Sequence, residues 1–428
     1  MTTKQTTLPN GLRIVTTDLA DALSVTANIF VGTGSRYENW DTNGGVSHFL
    51  EHLLFKGSAK YPTAEAINLA VDEVGGFNNA YTSEDVTTYY IKVPAAHGEL
   101  ALDILADMIK APVLDPAEID RERDVIIEEM NVWRDDPARF VATLMPELIF
   151  PDNPLGRDII GSETIIRSVT PKTIRDYLVT HYRPGNLVVS VAGRVDHDAV
   201  VKQLTATLGE LEAGETEPPQ RVANGPSEVL SSAHVKETAQ AHFIISSRAY
   251  AYDDNRDAAA KVMAAILGRG MSSRLFSTVR ERLGLAYGIY ADVSNYVDTG
   301  LFTLYAGVTI EKSEQAVTAV LAELEKIRLE PVSEAELAKA KRQLRSGLEM
   351  SLESNAAIAD RLGAQLILLG RTKSLEDTLA ELEAVTVAQV QAAAAEILAP
   401  AALRMAIIAP EPEAAVRTFE TLVTKETV

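Results

Sequence analysis

An internal repeat is the feature that most limits how this chain of 428 residues can fold. The segment Pro116–Met130 resembles the segment Ser333–Met350 when Glu118 is aligned with Glu336, and several apolar positions then coincide. A chain that repeats itself at this distance is expected to form two similar domains rather than one continuous core.

Two halves of about 210 residues follow from this repeat. Residues 211–227 are rich in Pro, Gly and Glu and lack a hydrophobic period, which predicts a linker between domains at residues 1–210 and 228–428. Each half begins with strand-like segments and continues with a helix, a Thr/Tyr-rich strand pair and two long helical runs. The predicted early strands are Leu12–Thr16, Ser24–Val31, Val229–Leu230 and Ala241–Ser246. This mixture indicates an α+β fold, in which each half is a mostly antiparallel sheet covered by helices.

Composition excludes several classes of site. The 60 acidic and 40 basic residues give a net charge of −20, which disfavours nucleic-acid binding. The chain contains no cysteine, so a metal would have to be bound by His and carboxylate side chains. No run approaches the roughly 20 apolar residues of a membrane span, and the N-terminus lacks the apolar stretch of a signal peptide. We therefore expect a cytoplasmic protein with no membrane partner.

The segment His48-Phe-Leu-Glu51-His52 has the spacing of a metal site on a helix. Residues three and four apart project from the same helical face, so two imidazoles can bind one Zn²⁺. The carboxylate of Glu51 would then lie where it can accept a proton from water. This is the reversed form of the more common His-Glu-x-x-His motif.

A catalytic zinc site needs a third protein ligand. Carboxylates follow in the helical run Asp120–Glu129, where Glu122 and Glu129 share a face and Glu128 points about 100° away. The spacing alone does not decide between Glu122, Glu128 and Glu129. In the register of the repeat, Ile266 and Gly270 are aligned with the two histidines, which predicts a second domain without a metal site.

Longer segments resemble the pitrilysin/insulysin-like zinc peptidases, the inverzincin family that includes mitochondrial processing peptidase and its bacterial relatives. The two-domain length corresponds to the short branch of that family. The resemblance extends over essentially the whole chain and is carried by Leu8–Leu12, Gly34–Glu38, His48–Gly57, Gly75–Ser83, Glu122–Glu129, His181–Asn186 and Ser273–Phe276.

The resemblance implies a role for each polar residue of the motif region. His48, His52 and Glu129 correspond to the ligands of one Zn²⁺ per chain, and Glu51 corresponds to the general base. Glu122 corresponds to a supporting carboxylate that orients a ligating histidine.

The resemblance also implies substrate contacts. Asn79 and Ala80 match the strand that pairs with an extended peptide. Arg280 and Tyr287, seven residues apart in the second half, match a pair that binds substrate carbonyls and stabilises the developing oxyanion.

The implied activity is that of a zinc metalloendopeptidase, which hydrolyses internal bonds of peptides or of unfolded and precursor segments inside a dimeric chamber. Because the zinc motif and the Arg/Tyr pair lie on one polypeptide, a homodimer is expected, and a heterodimer with a related subunit is the alternative. Two other functions remain open: a scaffold subunit of the same fold, and a chamber that captures peptides without cutting them.

Overall fold

A computed structural model describes residues 2–214, 216–223 and 225–425. The chain divides into two compact units. The first unit consists of Met1–Met130, Asp158–Gln220 and Glu349–Lys373, and the second of Asn131–Arg157, Arg221–Leu348 and Ser374–Val428. No helix in the described ranges is both long and apolar enough to cross a membrane.

The first unit contains a six-stranded sheet in the order β1-β2-β6-β3-β5-β4. All neighbouring strands are antiparallel except β2 and β6. The central strands β3 and β6 are buried along nearly their whole length, because both of their faces are covered. The strands are β1 Thr2–Thr7, β2 Arg13–Asp18, β3 Ser24–Val31, β4 Phe77–Thr82, β5 Thr87–Pro94 and β6 Leu187–Gly193.

Helices from the first half of the chain cover one face of this sheet. Helix α2 packs on β4 and β5, and α4 packs on β3 and β5. The helices in the first half of the chain, of which α6 belongs to the second unit, are α1 Trp40–Asn43, α2 Val46–Leu54, α3 Ala64–Asp72, α4 Gly98–Lys110, α5 Pro116–Asp135, α6 Pro137–Ile149, α7 Glu163–Ser168, α8 Pro171–His181 and α9 His197–Thr207.

The second unit repeats this topology without an equivalent of β1. Its sheet has the order β7-β11-β8-β10-β9, and again only the pair β7 and β11 is parallel. The strands are β7 Ser231–Val235, β8 Ala241–Ala249, β9 Ala286–Asn295, β10 Gly300–Val308 and β11 Arg404–Ala409. The helices in the second half of the chain are α10 Asp257–Gly268, α11 Ser313–Leu329, α12 Glu334–Ser351, α13 Asn355–Leu369, α14 Leu375–Ala384, α15 Val387–Ile397 and α16 Glu413–Lys425.

The other face of the first sheet is covered by α13, which comes from the second half of the sequence. Phe30 and Val188 of the sheet pack against Ile358, Ala359 and Leu362 of this helix in one buried cluster. Alternate strand residues point to opposite faces, so Ile29 belongs to the larger cluster on the α2 and α4 side. One element from each half of the sequence is therefore needed to bury this sheet.

Helix α6, which comes from the first half of the sequence, covers one face of the second sheet in the same way. Val141 and Met145 of α6 form a buried cluster with Ile244, Ala406 and Ile408 of strands β8 and β11. The compact units thus differ from the predicted division at residues 210 and 228, because α6 and α13 are each exchanged into the unit of the other half. The apolar faces of these helices are visible in the sequence, but the sheet that each one covers depends on how the chain connects.

The predicted α+β class, with two similar and mostly antiparallel sheets, is confirmed. Strand Ser24–Val31 has its predicted bounds, and strand Ala241–Ala249 contains its predicted segment. The third predicted strand, Val229–Leu230, is misplaced, since β7 begins at Ser231. Residues 211–214, 216–223 and 225–227 of the predicted linker contain no helix or strand.

Candidate metal centre

Helix α2 carries the His-x-x-Glu-His motif. One side of the helix, formed by Phe49, Leu50, Leu53 and Leu54, is buried in the core. That burial turns the opposite side outward, and His48, Glu51 and His52 project from it together. The predicted helix is therefore present, and it ends at Leu54.

Two histidines of α2 and one glutamate of α5 converge. The Nε2 atoms of His48 and His52 each lie 3.7 Å from Oε2 of Glu129. One ligand atom from each of the three residues lies within 4.8 Å of the others, and no second group of this kind occurs in the described ranges. Of the three glutamates that the spacing left open, Glu129 is the one whose carboxylate lies close to both histidines.

Glu122 lies behind His52. Its Oε2 is 3.1 Å from Nδ1 of His52, and its Oε1 is 2.5 Å from Nζ of Lys56. Burial opposes ionisation of Glu122, but the hydrogen bonds with His52 and Lys56 outweigh it and lower the pKa of the carboxyl. An ionised Glu122 accepts a hydrogen bond from the Nδ1–H group of His52, which leaves the lone pair of Nε2 directed toward Glu129.

His48 has the protonation state that metal binding requires. Burial, together with the neighbouring His52, lowers the pKa of its imidazole to about 3, so the ring is neutral near pH 7. Two imidazole nitrogens and one carboxylate oxygen form a donor set that suits Zn²⁺, which in catalytic sites takes three protein ligands and keeps a fourth position for water or substrate. The residues present therefore fit a zinc ion.

Glu51 lies beside this cluster without belonging to it. Its Oε2 accepts a hydrogen bond of 2.6 Å from Oγ1 of Thr82, the last residue of β4. Burial raises the pKa of the Glu51 carboxyl, and this hydrogen bond acts in the opposite direction. A carboxylate that is oriented by one donor and partly desolvated is suited to accept a proton.

The strand that the sequence associates with substrate is an edge strand. β4 pairs only with β5 within the described sheet, so its other edge is not used in the sheet. Asn79 is exposed, Ala80 is half-buried, and the amide of Ala80 donates to Oδ1 of Asn79 over 2.8 Å. The same strand ends at Thr82, which contacts Glu51.

The Arg/Tyr pair lies in the second unit. Arg280 is part of a π-helical segment, Phe276–Arg282, and Tyr287 is the second residue of the edge strand β9. The guanidinium carbon of Arg280 is 5.6 Å from the centre of the Tyr287 ring and 4.6 Å from that of Phe276. Tyr287 is 76% exposed, so its hydroxyl is accessible.

Three contributors to the site were not predicted as such from the sequence: Thr82, Lys56 and Glu38. Thr82 lies in the Thr/Tyr-rich strand pair, where the sequence pattern predicts only a strand. Lys56 follows His52 by four residues, a spacing that could have suggested contact with the same partner. Glu38 accepts hydrogen bonds from the backbone at the start of α2, and no local spacing rule predicts this contact.

Two family profiles match the chain. Residues 13–163 match insulinase (peptidase family M16), and residues 168–344 match the peptidase M16 inactive domain. The first match contains the metal cluster, and the second contains Arg280 and Tyr287. Together with the relatives below, these matches show that the chain belongs to the M16 peptidase family, as its resemblance to the inverzincins implied.

Relatives align with nearly the full chain. An uncharacterised zinc protease of Streptomyces coelicolor is 37% identical over 403 residues, which cover 93% of this chain and 87% of the relative. An uncharacterised zinc protease of Bacillus subtilis is 34% identical, over 92% and 95% of the two chains. A probable mitochondrial-processing peptidase subunit beta of Arabidopsis thaliana is 32% identical, over 95% and 78%.

Solved structures share the fold. A protease from Helicobacter pylori has a TM-score of 0.89 at 23% identity, covering 96% of this chain and 99% of that one. A peptidase M16 inactive domain from Pseudomonas fluorescens has a TM-score of 0.88 at 20% identity, with 96% and 98% coverage. At these identities, the likeness supports the architecture of two similar sheets.

Proposed function

We propose that this protein is a zinc-dependent endopeptidase that cleaves internal bonds of peptides and unfolded or precursor segments. The observation that carries the proposal is the convergence of His48, His52 and Glu129 beside Glu51. Membership of the M16 family and the zinc protease names of its relatives support the same reading.

His48, His52 and Glu129 would bind one Zn²⁺ per chain. When bound, zinc supplies Lewis acidity to the reacting groups. Glu51 accepts a proton from the attacking water and later transfers it to the leaving amine. Thr82 keeps the carboxylate in place, because its hydroxyl donates to Oε2 of Glu51. Glu122 keeps His52 in the tautomer that binds through Nε2.

Substrate binding is assigned to edge strands and to the Arg/Tyr pair. The unpaired edge of β4 at Asn79 and Ala80 can accept an extended peptide as an additional strand, which selects for conformation more than for sequence. Arg280 would donate to a substrate carbonyl, and the hydroxyl of Tyr287 would donate to the developing oxyanion. The guanidinium group of Arg280 lies over the aromatic ring of Tyr287, so the two polar groups are close together.

For the assembly we propose a homodimer in the cytoplasm, with one site per chain and the substrate enclosed between subunits. A closed two-fold dimer is the commonest form of soluble homo-oligomer, and this polypeptide carries both the zinc motif and the Arg/Tyr pair. Light scattering on the active protein tests this proposal. A mass near twice the 46.3 kDa of the chain is expected, and an active monomer would contradict it.

The direct test of the activity uses an internally quenched library of basic peptides. Purified protein is assayed as isolated, after removal of metal by a chelator, and after addition of zinc. We expect cleavage that is lost with the chelator and restored by zinc, because all three candidate ligands lie in one cluster. Cleavage that continues in metal-free protein, or a zinc-loaded dimer that cuts no peptide, would contradict the proposed function.

A further inference from the structure

A short segment between β3 and α1, Gly34–Glu38, connects the metal-binding helix to the strand that orients Glu51. None of its residues belongs to the metal cluster. Two of its side chains, those of Arg36 and Glu38, are nevertheless ionisable and almost completely buried, at 1% and 6% exposure. Burial of such polar groups is costly unless each of them has strong partners, so their contacts indicate what the segment does.

Glu38 is bound to the start of α2. Its Oε2 accepts a hydrogen bond of 2.6 Å from the amide of Gly45, and its Oε1 accepts one of 2.7 Å from the amide of Ser47. Gly45 is the N-cap residue and has no side chain for this purpose, and its φ of +91° together with the nearby carbonyl of Ile160 disfavours any other residue there. Glu38 therefore replaces the missing N-cap side chain from outside the helix.

The other end of the segment is bound to the turn between β4 and β5. The amides of Ser35 and Arg36 donate to the carbonyls of Ser83 and Glu84, each over 3.1 Å, and the guanidinium of Arg36 pairs with Asp85 at 3.0 Å. The approach is close, since a Cβ atom on Gly34 would lie 2.0 Å from the carbonyl oxygen of Ser83. The residue before Ser83 is Thr82, the hydrogen-bond donor to Glu51.

These contacts join two elements that must be aligned. Helix α2 carries Glu51, and the turn fixes the end of β4 that carries Thr82. From them we infer that Arg36 and Glu38 are positioning residues, which set the distance between Glu51 and Thr82 by joining the start of α2 to the β4–β5 turn. This inference rests on the proposed role of Glu51, but the geometry that it predicts can be measured without turnover.

The test compares Glu38→Gln with Glu65→Gln in the zinc-loaded protein. Glutamine keeps the shape of Glu38 but weakens its two backbone contacts, whereas Glu65 is an exposed glutamate in the first turn of α3. We expect Glu38→Gln to lower kcat per zinc-loaded molecule by about tenfold or more with little change in KM, because small displacements of catalytic groups are costly. Glu65→Gln should match the wild type.

A double mutant separates positioning from plain stabilisation. If Glu38 acts through the Thr82–Glu51 contact, Glu38→Gln combined with Thr82→Val should lower kcat by little more than the larger single effect. Multiplicative effects would overturn the inference. So would a Glu38→Gln variant that melts at a lower temperature but keeps the wild-type kcat.

A cobalt-substituted protein provides a readout that does not depend on activity. The visible d–d absorption of Co²⁺ reports the geometry of its ligands. Two of the proposed ligands, His48 and His52, lie on α2, the helix that Glu38 holds at its start. We therefore expect Glu38→Gln to shift this absorption, while Glu65→Gln does not. If the wild type binds Co²⁺ but cleaves no peptide, the proposed function fails, and the cobalt spectra alone then decide the inference. Should Glu38→Gln not fold, Arg36→Lys is measured in its place, and an unchanged spectrum would overturn the inference.

Discussion

Apart from β1, the strands of the two units follow the same order, but only the first unit brings candidate metal ligands together in the described ranges. In the register of the sequence repeat, Ile266, Gly270 and Gly347 of the second unit are aligned with His48, His52 and Glu129. Helix α10, the counterpart of α2, is buried along most of its length. The comparison shows that apolar patterning maintains the fold, while a few polar positions distinguish the unit that has a candidate metal cluster from the one that has none in the described ranges.

The largest effect is expected at Glu51. In Glu51→Gln, zinc binding should persist while turnover falls by about a thousandfold, because the general base is lost and the ligands remain. The aligned residue of the second unit is Arg269, and zinc content should not change in Arg269→Gln. Turnover of the peptide library and metal content per chain are measured together. Substantial activity in zinc-loaded Glu51→Gln would remove the chemical distinction between the units.

Tyr287 tests whether the second unit contributes to the reaction. We expect Tyr287→Phe to lower kcat by about a hundredfold with little change in KM or zinc content, since one donor to the oxyanion is lost. Tyr290→Phe is the matched control on the same strand, where the ring stacks on Tyr305 with 5.1 Å between centroids. Steady-state kinetics on one peptide gives kcat and KM for both variants. Equal kinetics for the two variants would count against Tyr287 as the donor.

Glu122 tests the support of the ligands in the first unit. Glu122→Gln should weaken zinc binding by about tenfold to a hundredfold, because the carboxylate that orients His52 is neutralised. Glu118→Gln, one turn earlier on α5, is the control, since Glu118 pairs with Arg121 instead. Competition with a coloured chelator gives both affinities. Identical affinities would mean that His52 does not depend on this partner.

Glu38 predicts a pH dependence at the start of α2 that has no counterpart at the start of α10, where the N-cap residue Arg256 makes no side-chain cap. Burial raises the pKa of Glu38 from 4.5 to about 7, so the folded protein binds this proton more tightly than the unfolded chain. The associated stability is present below pH 4.5 and is lost as the pH rises to about 7.

Relative to Glu38→Gln, the metal-free wild type should therefore lose about 2 kcal/mol of unfolding free energy between about pH 5 and 7. Urea unfolding of both proteins at several pH values measures the difference, and Glu65→Gln serves as the exposed control. Parallel stability curves for wild type and Glu38→Gln would show that the carboxyl does not titrate in this range.

Helical spacing was sufficient to predict the metal-binding face of α2, because His48, Glu51 and His52 lie within one turn. Spacing was not sufficient to choose Glu129, since three nearby glutamates had the same chemistry and only the tertiary fold distinguishes them. The resemblance to a family supplied that choice. The contacts of Glu38 and Thr82 depend on how a loop and a strand end meet α2, and such contacts have no local signature.

The sequence also did not predict that α6 and α13 each cover the sheet formed by the other half of the chain. Both helices have apolar faces in the sequence, but a face does not identify its partner. The repeat favoured two self-contained halves, whereas each sheet is completed by a helix from the opposite half. Local pattern therefore predicted the elements and their order, and the pairing of elements across the chain required the structure.

The exchanged helix α13 has a consequence for synthesis on the ribosome. All six strands of the first sheet have been made once translation passes Gly193, yet Phe30 and Val188 are not covered until α13, which ends at Leu369, has emerged. At synthesis rates of about 5–20 residues per second, this interval lasts on the order of ten seconds or more. If the sheet forms before α13 emerges, its apolar face around Phe30 and Val188 stays uncovered throughout that time, and such exposed surface favours aggregation.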